Sequence, residues 1–186
     1  MLKIISERLV LRSFIIEDAE VFSTYRSDPE VARYQGWDTP FTFEQATRFI
    51  NEMSTKLPGV PGEWYQLAIT LKKNERVIGD CAFKILQDSI QQAELGITLA
   101  ARFQGNGFAY EALISLINYL FMQYDLHRVQ ANCDEENFHS YNLLNRLGFR
   151  EEAHFKENLW FKGRWSSEYW FAVLRREWDA KRTEKD

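Results

Sequence analysis

The sequence predicts an α/β (α+β) protein built on one mixed β-sheet. Three observations carry that expectation. β-like and helical stretches alternate along the chain in the order β-α-α-β-β-β-α-β-α-β-β. Two short turns, Lys73-Asn74-Glu75 and Lys162-Gly163, each join a pair of β-like stretches, which makes those neighbours antiparallel. One strand–helix–strand unit, from Ala93 to Cys133, adds a parallel pair.

The elements follow in order. Arg8-Leu-Val-Leu-Arg12 reads as the first strand. Glu17-Asp18 precedes Ala19, Val21, Phe22 and Tyr25, a short helix with acids in its first turn. Asp28-Pro29 stops it. Residues 33–40, RYQGWDTP, read as a loop. Thr42-Phe-Glu-Gln45 fits a capping box, ahead of Phe43, Ala46, Phe49, Ile50 and Met53 at helical spacing. Pro58, Gly59, Pro61 and Gly62 break that helix and form the best candidate for a flexible lid, too short for a domain linker. Trp64–Leu71, Arg76–Ile85 and Ala93–Leu99 read as strands. A long helix begins near Gly107, with Ala112, Leu113, Leu116, Ile117, Leu120 and Phe121 on one wide face. His127–Cys133 is a further strand, and Asn137 opens a helix that Gly148 ends. Two β-like stretches fill Glu151–Leu174, and the tail EWDAKRTEKD reads as a frayed, charged end. There is no internal repeat and no low-complexity segment.

A length of 186 residues suits a single domain spanning 1–186. Such a chain buries roughly 70% of the surface it exposes when unfolded, so it needs no staples. The formal net charge of -4 argues against a nucleic-acid partner gripped by a broad basic face. Cys81 and Cys133 match neither a zinc spacing nor a small disulfide framework. The start MLKIISERLVLR lacks the apolar core of a signal peptide, and no apolar run is long enough to span a membrane. These features lead to the expectation of a cytoplasmic protein. The 6 Trp, 8 Tyr and 14 Phe are the one compositional excess; most read as core, and a cluster that cannot all be core would form a pocket wall.

The stretch RFQGNGFAYEA places Gly105 and Gly107 at the mouth of the long helix. The first N–H groups of a helix have no partner within it, and glycines let an anion approach closely. A P-loop would require Lys and Ser/Thr after Gly107, where Phe108-Ala109 stands. A Rossmann fingerprint would require a third glycine at Tyr110; Asp134 could pose as its ribose-binding acid, but too little chain follows for a doubly wound fold.

Gln104-Gly-Asn-Gly107-Phe-Ala109 fits Q-x-x-G-x-A and resembles the acyl-CoA loop of the GCN5-related N-acetyltransferase (GNAT) superfamily. QGNGFAYEA, Glu7–Arg12, Asn137-x-x-Ser140, Leu147-Gly-Phe149 and Gly163-Arg-Trp165 resemble, in the same order, the branch that acetylates N-termini of ribosomal proteins. The resemblance covers nearly the whole chain. It implies a GNAT fold, a mostly antiparallel sheet of about seven strands flanked by about four helices. It also implies a metal-free N-acetyltransferase that moves acetyl from acetyl-CoA to a primary amine, a protein N-terminus or a small amine, by direct attack in a ternary complex. The resemblance leaves open an antibiotic or polyamine acetyltransferase, a non-catalytic CoA-binding sensor, and a monomer or a homodimer.

The same resemblance assigns residues. Gln104, Gly105, Asn106, Gly107, Phe108 and Ala109 would line the pyrophosphate loop, with Ile97, Thr98 and Leu99 along the pantetheine arm. Asn137 is a natural N-cap and would also reach the arm. Many superfamily members have a tyrosine acid at the position of Leu144, and its absence here directs attention to Ser140 as the group that meets the leaving thiolate. Glu94 and Glu168 are candidate bases for the attacking amine; the alternative reading of Glu94 is a solvent-facing strand residue, and that of Glu168 an ordinary charged strand residue. In the related branch an Asp is common at the position of Ser167. His127, at a strand start, reads as structural. Tyr34, Gln35, Trp37, Trp64, Trp160 and Trp165 are the candidate acceptor-binding residues, because they are aromatic or polar and lie outside the CoA motifs.

Overall fold

The computed structural model describes residues 2–183. The chain runs through β1 (Lys3–Ile5), β2 (Leu9–Arg12), α1 (Ala19–Arg26), α2 (Pro29–Ala32) and α3 (Phe43–Thr55). Next come β3 (Tyr65–Leu71), β4 (Val77–Ile85), β5 (Gln92–Leu99), α4 (Phe108–Gln123) and β6 (Arg128–Asp134). It closes with α5 (Phe138–Leu147), β7 (Arg150–Phe161), β8 (Arg164–Leu174) and α6 (Arg175–Thr183). The strands form one sheet in the order β1-β2-β3-β4-β5-β6-β8-β7. Among the described residues, β5 and β6 make the one parallel pair.

Strand alternation sorts side chains onto two faces. One face carries Leu67, Ile69, Phe83, Leu95, Val129, Ala131 and Phe171, all buried. Against it α4 packs Leu113, Leu116, Ile117 and Leu120, α5 packs Leu144 and Leu147, and α6 packs Trp178, in one continuous core. The register places Gln66, Asp80, Ala82, Lys84, Glu94, Gly96, Thr98, Asn132, Asp134 and Glu168 on the opposite face. There α1 and α3 form a second core, with Phe14, Phe22, Tyr25 and Ile50 around Ala68. Polar side chains thus occupy the middle of a sheet, and the candidate site lies over them.

The capping box at Thr42 is present: Gln45 N–H donates to Thr42 Oγ1 at 3.2 Å and Thr42 N–H donates to Gln45 Oε1 at 2.7 Å. Several sequence expectations need correction. The sheet has an additional edge strand, β1. Asp28-Pro29 ends α1 but also starts α2, because Asp28 Oδ1 caps Glu30 N–H and proline suits a first helical turn. The tail is helical through Thr183; residues 184–186 lie outside the described range. It is held by Trp178, whose indole N–H donates to Asn118 Oδ1 at 2.8 Å. Residues 58–62 are no lid over the site. Gly59 lies against the Tyr124 ring, and Gly62 N–H donates to Ile85 O at 2.8 Å. Among the described residues, no helix is long and apolar enough to cross a membrane.

Candidate functional site

The parallel ladder is short. Gln92, Ala93 and Glu94 pair with Arg128, Val129 and Gln130, and then the strands part. Leu95–Leu99 therefore have no neighbour on their β6 edge, and α5 bounds the gap with Leu143 and Leu144. Two cavities meet there. One, of about 620 Å³, lies over the polar face. The other, of about 380 Å³, lies at the glycine turn. Ile97, Thr98, Asn137 and Ser140 line both, as do Tyr34 and Gln35.

The glycine turn is a cradle held from behind. Gly105 and Gly107 have φ of +75° and +78°, a region that side-chain-bearing residues rarely adopt. A Cβ at Gly105 would project into open space, and Gly105 lines the smaller cavity. The first intrahelical bond of α4 is Glu111 N–H to Gly107 O at 3.1 Å, so the N–H groups of Phe108, Ala109 and Tyr110 have no intrahelical acceptor. The helix dipole adds partial positive charge at the same point. Gln104 Nε2 donates to Leu99 O at 3.0 Å and ties the turn to β5. Asn106 lines neither cavity; its side chain donates to Gln104 O and its carbonyl accepts from Arg8 Nη1. Arg8 stacks 4.5 Å over Phe108 and pairs with Glu111 at 2.6 Å. Such a cradle fits a pyrophosphate.

Asn137 caps α5 by accepting Ser140 N–H at 3.1 Å. The Ser140 hydroxyl makes no hydrogen bond to another described residue, so it is available within the gap. Leu144 is buried behind it.

On the polar face the two candidate bases differ. Glu94 points into the larger cavity but is paired with Lys84 at 3.1 Å, and Lys84 sits over the Trp64 ring. Among the described residues, Glu168 accepts hydrogen bonds from neutral amides alone, Asn132 at 2.6 Å and Asn158 at 2.8 Å. Ser167, where the related branch commonly has an Asp, is buried and turned away; its hydroxyl accepts Glu157 N–H. Cys133 lines the larger cavity, and burial, with Asp134 and Glu168 nearby, pushes its thiol up to about 12. Burial likewise raises the Cys81 thiol well above its usual value.

Tyr34, Gln35, Trp37 and Trp64 line the larger cavity, whereas Trp160 and Trp165 do not. Those two stack on each other, 59% and 58% exposed, on the outer side of the β7–β8 hairpin. Their neighbours Leu159 and Phe161 face the cavity instead. Alternation puts adjacent strand residues on opposite sides, so the correction is a shift of one position.

Sequence reasoning missed the cavity's buried polar floor. Asp80 accepts from Tyr25 Oη, from Gln66 Nε2 and, at 3.3 Å, from Arg26 Nη2. Arg26 is itself stacked 3.9 Å from Trp37 and 4.2 Å from Phe22. Also missed was a latch that walls the cavity. Lys162 Nζ donates to Ala32 O at 2.7 Å and Trp37 O at 2.9 Å, joining the hairpin tip to the 33–40 loop. Arg33 and Arg164 both reach Glu136, whose backbone oxygen accepts from Tyr34 Oη.

Comparison with known proteins agrees with this geometry. The acetyltransferase (GNAT) domain family matches residues 8–150. The uncharacterized N-acetyltransferase p20 of Bacillus licheniformis is 38% identical over 173 residues, spanning 93% of this chain and 96% of that protein. The ribosomal protein uS5-alanine N-acetyltransferase of Escherichia coli is 26% identical, spanning 95% and 92%. The crystal structure of a GNAT-family acetyltransferase from Bacillus anthracis superposes with a TM-score of 0.83 at 29% identity, covering 95% of this chain and all of that one. The chain belongs to the GNAT acetyltransferase family. It is an acetyl-CoA-dependent acyltransferase, and its described residues form a sheet of eight strands with six α-helices, β1 to β8 and α1 to α6.

Proposed function

We propose that this protein acetylates the N-terminal amine of a polypeptide by direct attack within a ternary complex. One observation carries the reading: the β5–β6 ladder stops after Glu94–Gln130, and the gap joins a cradle suited to a pyrophosphate to an aromatic and polar cavity on the other side. Gln104, Gly105, Gly107, Phe108 and Ala109 hold the donor's pyrophosphate, chiefly through backbone N–H groups. Asn106 supports the turn from behind. Ile97–Leu99 and Asn137 line the passage for the pantetheine arm. Bound there, acetyl-CoA supplies an activated acyl group and a thiolate that can leave.

The chain's own residues do the remaining work. An N–H of the unpaired β5 edge steadies the acyl oxygen. The Ser140 hydroxyl donates to the departing sulfur. Glu168, whose charge no cation offsets within hydrogen-bond reach, accepts the amine's proton through water, a role less suited to the Lys84-bound Glu94. Tyr34, Gln35, Trp37 and Trp64, joined by Leu159 and Phe161, hold the acceptor. Holding the two reactants together supplies much of the rate. A covalent acetyl-cysteine finds no support, because raised thiol pKa values leave little thiolate.

A second reading is a polyamine acceptor. It is favoured by the carboxylates of Asp80, Glu94, Asp134 and Glu168 in the cavity wall, against the single guanidinium of Arg26. The test is CoA thiol release from acetyl-CoA with short peptides, polyamines and aminoglycosides as acceptors. Release with peptides supports the first reading, and release with polyamines alone supports the second. Binding of acetyl-CoA without release to any amine would leave a CoA sensor.

A further inference from the structure

We infer that Gly96, with its cross-strand neighbour Ala82, sets how large an acceptor's first residue can be; this rests on the acetyltransferase reading above. Along the polar face, the pairs Lys84–Glu94 and Asp80–Thr98 flank the pair Ala82–Gly96. The flanking pairs carry substantial side chains. The middle pair leaves a hollow, bounded by Gln66 on β3 and Asn132 across the gap.

Nothing in the fold requires a glycine at position 96. Its φ is not in the left-handed region. A Cβ built there meets no atom within 4 Å. Gly79, on the adjacent strand, makes the contrast: its Cβ would lie 2.2 Å from Thr98 O, so close backbone approach accounts for that glycine. A glycine inside a strand also weakens it relative to alanine. At Gly96 no local packing or backbone geometry offsets this loss. A side chain there would face the larger cavity, which Gly96 lines. Gly96 lines that cavity and is absent from the lining of the cradle at the glycine turn, so the space it clears is on the acceptor side.

The occupant is an amine whose neighbouring carbon carries a substituent, as an N-terminal residue does. The hollow takes that side chain, within a cavity that the rings of Trp37, Trp64 and Phe161 also line. Substitution at position 96 therefore narrows the choice of acceptor without loosening the donor.

The test uses the full chain with G96A, G96V and, from the facing strand, A82V. Acceptors are tetrapeptides identical except for N-terminal Gly, Ala, Leu or Phe. The expected result is a melting temperature at or above wild type for G96A and an acetyl-CoA affinity within about twofold of wild type for each variant. The kcat/KM loss should grow with the first side chain, reaching about tenfold or more for Leu and Phe in G96V and least for Gly. A82V, closing the hollow from the other side, should show the same ordering and stands in if G96V folds poorly. Wild-type acceptor preference in all variants would overturn the inference. So would a fall in acetyl-CoA affinity that accounts for the whole effect. A wild-type protein that acetylates no peptide would instead sink the functional reading itself.

Discussion

Replacing Glu111 by alanine should both destabilise the protein and loosen its grip on acetyl-CoA. Glu111 lies in the first turn of α4. Its Oε1 accepts from Ser6 Oγ at 2.7 Å and from Arg8 N–H at 2.7 Å, and its Oε2 accepts from Arg8 Nε at 2.6 Å. Arg8 then holds the glycine turn through Asn106 O and Phe108. One carboxylate thus joins the β1–β2 turn to the donor cradle. Hydrogen bonds to a charged group contribute about 1.5–3 kcal/mol each when well shielded. The Arg8 side chain is 44% exposed, so its ion pair adds at most about 1 kcal/mol and the other two bonds count at the low end. The loss comes to about 3–4 kcal/mol, or about 6–16 °C in Tm for a chain of this size.

The pH dependence has a definite sign. Burial alone would raise the Glu111 carboxyl, but the bonds from Arg8 and Ser6 outweigh it and hold it below its ordinary 4.5. A depressed carboxylate stabilises the fold above its unfolded value, and that contribution is lost as pH falls through the folded value. Melting curves of both proteins should therefore differ fully at about pH 7, and the difference should shrink as pH falls below the ordinary carboxyl value of 4.5. Titration calorimetry should show acetyl-CoA binding weakened about tenfold, the equivalent of one 1.4 kcal/mol step. A Tm equal to wild type with unchanged acetyl-CoA affinity would refute the clamp.

Ser140→Ala should lower kcat on the order of 10–100-fold, below the usual range for full acid–base groups because a single donor to sulfur is lost, while acetyl-CoA affinity holds. Equal turnover in the two proteins would remove Ser140 from the chemistry. Glu136→Gln tests the latch. Arg164 foremost, against the opposing effect of burial and with help from Arg33, holds the Glu136 carboxyl below its ordinary value, so the latch is complete at neutral pH and releases only in acid. Exposed ion pairs are screened by salt, so wild-type acceptor KM should rise with NaCl, and the variant should start high and respond less. Identical salt dependence in both would mean that the latch does not wall the acceptor cavity.

What the sequence revealed depended on how local each signal was. The glycine turn, the capping box and α4 are written within a few residues of each other, so they could be read directly. Strand β1 spans only Lys3–Ile5, too short for alternation to register. Helix α6 looks like a charged tail because its contacts, Trp178 with Asn118, Glu177 with Arg150 and Lys181 with Gly148 O, mostly reach residues distant in sequence and carry no local signal. Trp160 and Trp165 were misplaced because facing depends on register, and the β7–β8 ladder shifts register between Phe155 and Leu159. Arg26–Asp80 and Asn132–Glu168 join residues far apart in sequence, and neither carries a motif. The acceptor side of the cleft is assembled from such pairs, whereas the donor side is largely one continuous segment.

The central claim is that donor and acceptor meet directly across the β5–β6 gap. Initial rates measured while acetyl-CoA and a peptide acceptor are both varied test it most directly. Double-reciprocal lines that intersect are the predicted result, since both substrates must be bound before acetyl moves. Parallel lines would contradict it, because they would mean that the acetyl group rests on the protein after CoA has left.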